Sequence, residues 1–132
     1  MHEKVTQQHP HEVAEDTLQT LIPFSDELIR LSQKLGQCED ALDLTSGLAK
    51  LMESLSLFFE AVSTIKLVLR IGVNPRIDVM EADLTSILKD LQNALECRQD
   101  DYLRALLKTD LPQCLEHWRT DGISILTKIR SN

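Results

Sequence analysis

Cys114, His117 and Asp121 stand at i, i+3 and i+7 in the stretch KTDLPQCLEHWRTDG, residues 108–122, with Asp110 one further turn back. On a helix this spacing lays a thiol, an imidazole and carboxylates along one side. Two chemistries would use such a row. A metal ion would find sulfur, nitrogen and oxygen donors, and a Cys–His pair would supply a nucleophile and its base. Neither set is complete. No partner motif provides a fourth metal ligand, and no oxyanion donors or glycine-rich turn accompany the thiol. A di-iron site needs Glu-x-x-His pairs on two helices, whereas the residue three before His117 is Cys114. The four glycines never cluster into a phosphate-binding loop. The expectation is therefore that Cys114 borders an apolar seam and His117 faces water, with nearby acids favouring its protonated form. No catalytic residue, metal ligand or cofactor is expected, and a metal or thiol site at Cys114 and His117 is the last of the alternatives.

Composition narrows the function classes. The chain has 132 residues, 42% of them apolar but only 4% aromatic, and leucine dominates the apolar set. A net charge of −7 with scattered Lys and Arg repels phosphate backbones, which argues against nucleic acid. The same charge serves solubility, or forms an acidic surface that meets a basic partner. Cys38, Cys97 and Cys114 are odd in number and widely spaced, so they are expected as free thiols in the cytoplasm. The first residues, MHEKVTQQHPHEVAEDT, lack the apolar run of a signal peptide. The most apolar run, SLSLFFEAVSTIKLVLRIG, carries Glu60, Lys66 and Arg70 and falls short of a membrane span, so no membrane partner is expected.

The elements that must position these residues are helices. Residues 1–10 read as a flexible tail, and residues 11–132 as one helical bundle domain. A first helix carries Ala14, Leu18, Leu21, Phe24, Leu28, Leu31 and Leu35 in steps of three and four. Pro23 either kinks or breaks it, and Gly36 is its C-terminal cap signal. The second helix has the cleanest stripe: Leu44, Leu48, Leu51, Leu55, Phe58, Val62, Ile65 and Leu69. Its far side is largely Ser and Thr, a light charge load that reads as a central helix covered on several sides, ended by Gly72 and Pro75. Asp78 and Glu81 suggest a capping box for a third helix with the stripe Met80, Leu84, Ile87, Leu91 and Ala94 or Leu95. The fourth starts near Asp100 and bears Leu103, Leu107, Leu111, Leu115, Trp118, Gly122, Ile125 and Ile129. Pro112 kinks or breaks it without changing its phase. The fold class is all-α, an up-and-down bundle of about four helices.

The segment LTSILKDLQNALECRQDDYLRALLKTDLPQCLEHW resembles the flagellar export chaperones of the FliT and FlgN type, small acidic bacterial helical proteins. It is also similar to bacterial helical proteins whose last helix carries an acidic residue and Tyr followed by L-P-x-x-L-x-x-W, here Asp101, Tyr102, Leu111, Pro112, Leu115 and Trp118. The resemblance implies a chaperone-like adaptor that binds a helical segment of another protein through its last helices. Tyr102, Leu103, Leu107, Leu111, Leu115 and Trp118 are the expected partner-binding residues, and an amphipathic helix is the expected occupant. Self-association through the coiled-coil-like stripe of the second helix is the alternative. Trp118 is read either as a core anchor against the second helix or as an exposed binding residue.

Overall fold

The computed structural model describes residues 10–131, and within them every regular element is helical. Helix α1 is Pro10–Gly36, α2 is Ala41–Val68 and α3 is Pro75–Glu96. Helix α4 is a continuous run of five segments: Asp100–Ala105, Leu106–Asp110, Leu111–His117, Trp118–Gly122 and Ile123–Ser131. The expected N-terminal tail lies outside the described residues except for Pro10, which is the first residue of α1. No described helix is long and apolar enough to cross a membrane.

The stripe of α2 is buried as its spacing demands. Leu44, Leu48, Leu51, Leu55, Phe58, Val62 and Ile65 are all within 2% of full burial, and Leu69 is half-buried at the end of the helix. The central helix, however, is α1 and not α2. Helix α1 lies against α2 on one side and against every segment of α4 on the other, while α3 packs on α4. The Ser and Thr side of α2 faces outward: Thr45, Ser46, Ser56, Ser63 and Thr64 are exposed. The light charge of that side does not report burial, because several of its hydroxyls bond within the helix. Thr45, Ser56 and Thr64 donate to the carbonyls four residues back, of Ala41, Met52 and Glu60, at 2.9, 3.1 and 2.9 Å.

The prolines neither break nor restart their helices. Helix α1 runs unbroken through exposed Pro23. Helix α4 takes Pro112 in its stride by widening just before it: the Leu111 N–H bonds the Leu106 carbonyl, five residues back. A second such turn closes with the Ile123 N–H on the Trp118 carbonyl. These are π turns, each accommodating one extra residue. The stripe of α4 shows why they are needed. Leu103, Leu107, Leu111 and Leu115 step by four three times running, which in an ordinary α-helix drifts about 40° per step and would leave the core. The wide turns take up the drift, and all four leucines stay fully buried. They also change the phase that the spacing implied. Beyond Gly122 the buried residues are Ile123 and Leu126, while the expected Ile125 and Ile129 are only half-buried.

The helix ends differ from expectation in instructive ways. Gly36 does not leave its helix in a left-handed turn. It is buried where α1 crosses α4, and a Cβ there would sit 3.1 Å from the Lys108 backbone nitrogen and 3.2 Å from the Arg104 carbonyl oxygen. The left-handed residues are arginines, Arg70 at φ 55° and Arg98 at φ 56°. Each follows a helix end in the same hydrogen-bonded turn: Ile71 N–H to Lys66 carbonyl at 2.9 Å, and Gln99 N–H to Ala94 carbonyl at 2.8 Å. Gly72 has no such conformation, and α2 is already finished before it. The expected capping box of Asp78 and Glu81 does not form. Asn74 caps α3 instead, its side chain accepting from the Ile77 N–H at 3.2 Å with Pro75 in the first turn. Glu81 is engaged elsewhere, paired with Lys66 of α2 at 2.9 Å. Arg104 pins the other end of the bundle, donating to the Cys38 carbonyl at 2.8 Å and the Glu39 carbonyl at 3.2 Å.

Candidate functional site

The seam expected to receive a partner is filled from within. Leu103, Leu107, Leu111 and Leu115 are fully buried and Trp118 is 1% exposed. Helix α1 occupies that face of α4, and the Ser32 hydroxyl of α1 donates to the Leu107 carbonyl at 2.6 Å. Of the six expected partner-binding residues only Tyr102 is at the surface, 48% exposed. It lies in the first turn of α4, beside buried Leu103.

Trp118 is the pivot between core and surface. Its ring meets Phe58 of α2 edge-on, centroids 5.6 Å apart at 85°, and Phe58 in turn lies 6.1 Å from Phe24 of α1. Gly122 makes room for the indole: a Cβ there would lie 2.5 Å from its Cε3 atom and 3.0 Å from the Met80 methyl. The buried indole Nε1 has no hydrogen-bond partner among the described residues. The outer side of the same tryptophan contributes to a cleft of about 560 Å³ between α3 and α4.

Two strips build that cleft. Helix α3 contributes Met80, Asp83, Ile87 and Asp90, in steps of three and four, with Ser86 beside them. Helix α4 contributes Asp110, Gln113, Cys114, His117 and Trp118 from the opposite wall. Half-buried Ile87 and Cys114 supply its apolar surface over buried Met80 and Trp118, and Asp83, Asp90 and Asp110 supply carboxylates. No Lys or Arg lines it. The cleft is therefore anionic with an apolar floor. Its signal was present in the sequence as a second stripe on α3. Asp83 and Asp90 are two turns apart beside the core stripe, matched by Asp110 and His117 at the same seven-residue interval.

The local chemistry runs against a reactive thiol. Burial, and secondly the charge of Asp83, push the Cys114 thiol up to about 11, so it stays protonated at neutral pH. His117 does not face the thiol as a base would. Its Nε2 atom pairs with Asp121 Oδ2 at 2.9 Å, one turn along the same helix. Among the described residues no three His, Cys, Asp or Glu side chains are grouped to hold a metal ion. The row of Cys114, His117 and Asp121 is thus real as geometry, but it splits into an acid-flanked thiol in the cleft and a His117–Asp121 contact on the surface. All three cysteines are free.

Behind the cleft α4 is fixed to α1 by Arg119, whose Nε atom stands 2.5 Å from Asp26 Oδ1. Cys114 and His117 lie between the two π turns and Trp118 opens the second, so these side chains are aimed by the same widening that keeps the leucines in the core. The chain matches no family model, no curated protein and no solved structure, and the reading of this cleft rests on its own residues.

Proposed function

We propose that the protein is a non-enzymatic helical interaction module whose cleft between α3 and α4 receives a cationic amphipathic helix of another protein. The observation that carries this reading is the pairing of half-buried Ile87 and Cys114, set over buried Met80 and Trp118, with carboxylates at Asp83, Asp90 and Asp110 and no Lys or Arg in the lining. Helices dock in grooves by laying an apolar face on such a floor. Lysines or arginines flanking that face would meet the three aspartates, steering encounter and setting orientation. From Met80 to Asp90 the groove wall extends about 15 Å, enough for nearly three turns of a guest helix. Shielding the apolar face of an amphipathic segment is the work of an export-chaperone-like adaptor, the role that the resemblance of the last helices implies. The protonated Cys114 thiol favours a binding role for the cleft over a catalytic one.

The test uses the single tryptophan as its own reporter. A designed Leu/Lys amphipathic peptide is titrated against the protein while Trp118 emission is followed. Saturable binding that weakens with salt is expected, and combined Asp83→Asn, Asp90→Asn and Asp110→Asn changes should weaken it about tenfold or more. Equal affinity for a Leu/Glu peptide of the same length, or no binding by either, would overturn the reading.

A further inference from the structure

We infer that the guest of the α3–α4 cleft is a helix of segregated charge, its basic end on Asp83, Asp90 and Asp110 and its acidic end on Arg76 and Lys128. This rests on the reading of the cleft as a helix-binding groove and adds the charge order its guest carries. The groove does not stop at Met80. One turn before it on α3 stands Arg76, which lines a second hollow of about 250 Å³ with Asp121, Ser124, Ile125, Lys128 and Ile129 of α4. Both hollows lie along the same two strips. On α3 the order is Arg76, Met80, Asp83, Ile87 and Asp90, in steps of four and three. On α4 the strip continues from His117 through Asp121 and Ser124 to Lys128. The start of α3 faces the end of α4, so the groove has a basic end at Arg76 and Lys128 and an acidic end at Asp90 and Asp110. Half-buried Ile125 and Ile129 carry apolar surface into the basic end. The π turn that takes these two residues off the core stripe is what places them there.

The charges at the two ends are free to meet a guest. Asp83, Asp90 and Asp110 at one end, and Arg76 and Lys128 at the other, make no ion pair among the described residues. All of them except half-buried Asp90 are exposed. The one carboxylate in the basic hollow, Asp121, contacts His117 at 2.9 Å on the side toward the acidic end, and the two cations outnumber it. Arg76 and Asp90 are 14 residues apart on one helix, about 21 Å. That exceeds two Debye lengths of about 8 Å at physiological salt, so each end acts on its own part of a guest. A helix basic throughout is attracted at one end and repelled at the other. A helix with Lys or Arg at one end and Asp or Glu at the other is matched along its whole length, and in one orientation only.

Two amphipathic peptides of identical Leu, Lys and Glu composition, each about four turns long, test this against the whole protein by titration calorimetry. One carries its lysines in one half and its glutamates in the other; the second alternates them. The segregated peptide should bind about tenfold more tightly than its isomer. Arg76→Glu combined with Lys128→Glu should abolish that preference, with unchanged helicity because both side chains are exposed, and should leave affinity for a Leu/Lys peptide undiminished. A photo-crosslinker at the lysine end of the segregated peptide should attach near Gln113, and one at the glutamate end near Ser124, as read by mass spectrometry. Equal affinity of the two isomers, a preference that survives the double reversal, or the opposite cross-linking order would overturn the inference. In each of those cases, salt-sensitive binding of the Leu/Lys peptide would leave the groove reading standing. Binding of none of the peptides would overturn both.

Discussion

The Ser32 hydroxyl of α1 donates to the Leu107 carbonyl of α4 at 2.6 Å, with Ser32 itself fully buried. The bond exists because of Pro112. In a wide turn the Leu107 carbonyl would take the N–H five residues on, and proline has none. That carbonyl faces the buried Ser32 of α1, whose hydroxyl supplies the donor. Ser32 is therefore a polar residue on a core face for a reason that lies 75 positions away in the chain.

Removing that hydroxyl leaves a buried acceptor without its partner. Ser32→Ala should lower unfolding free energy by about 1–3 kcal/mol, read as a shift in urea midpoint with an unchanged slope. The outward-facing Ser46→Ala serves as a comparison, and should stay within about 0.5 kcal/mol of the parent. Equal effects of the two changes would contradict the assigned role of Ser32.

Gly122 and Gly47 separate close packing from mere burial. A methyl at residue 122 would press on the Trp118 ring at 2.5 Å and the Met80 methyl at 3.0 Å. Gly122→Ala should cost about 1–3 kcal/mol through overpacking, with a displaced Trp118 emission spectrum. At Gly47 the obstacle is only the Leu35 side chain, whose end can turn aside. Gly47→Ala should be far milder, offset by up to about 1 kcal/mol of helix propensity. Chemical denaturation of both variants, monitored by tryptophan emission, checks the contrast.

These residues show what was readable in the sequence. Periodicity alone located the core stripe of α2, because an uninterrupted α-helix converts residue spacing directly into a face. It failed at Ile125 and Ile129, because a π turn alters that conversion, although the repeated four-residue steps from Leu103 to Leu115 already demanded one. The Trp118–Gly122 pairing was legible as a seam. Which helix fills that seam was not, since leucine spacing specifies an apolar face without specifying its neighbour. The acidic cleft was missed for a related reason. Its aspartates lie on two helices, so the sequence shows two separate seven-residue intervals and only the antiparallel packing of α3 on α4 joins them.

The turn at Arg98 holds an L-residue at φ 56° in a position that favours glycine. Arg98 makes no ion pair among the described residues that would be lost with its side chain. Arg98→Gly should therefore raise stability by about 0.5–1 kcal/mol, the relief of left-handed strain exceeding the added freedom of the unfolded chain. Thermal unfolding should show a melting temperature raised by a few degrees. A fall in melting temperature would mean that the side chain itself supports the turn.

Cys114 reports the electrostatics of the cleft. Its thiol is raised from 9.0 to about 11, first by burial and then by Asp83. The folded chain thus holds this proton more tightly than the unfolded chain does. The contribution to stability is complete below pH 9 and is lost as pH rises from there through 11. Alkylation should follow the same order. At pH 8 the exposed Cys97 should react much faster than Cys114, because the thiolate is the reactive form. Asp83→Asn removes one of the two causes, so Cys114 should become more reactive while Cys97 keeps its rate. Mass spectrometry of partially alkylated protein resolves the two sites. An unchanged Cys114 rate in that variant would mean that the aspartate does not impose its charge on the cleft, and would weaken the case for a cationic guest as well.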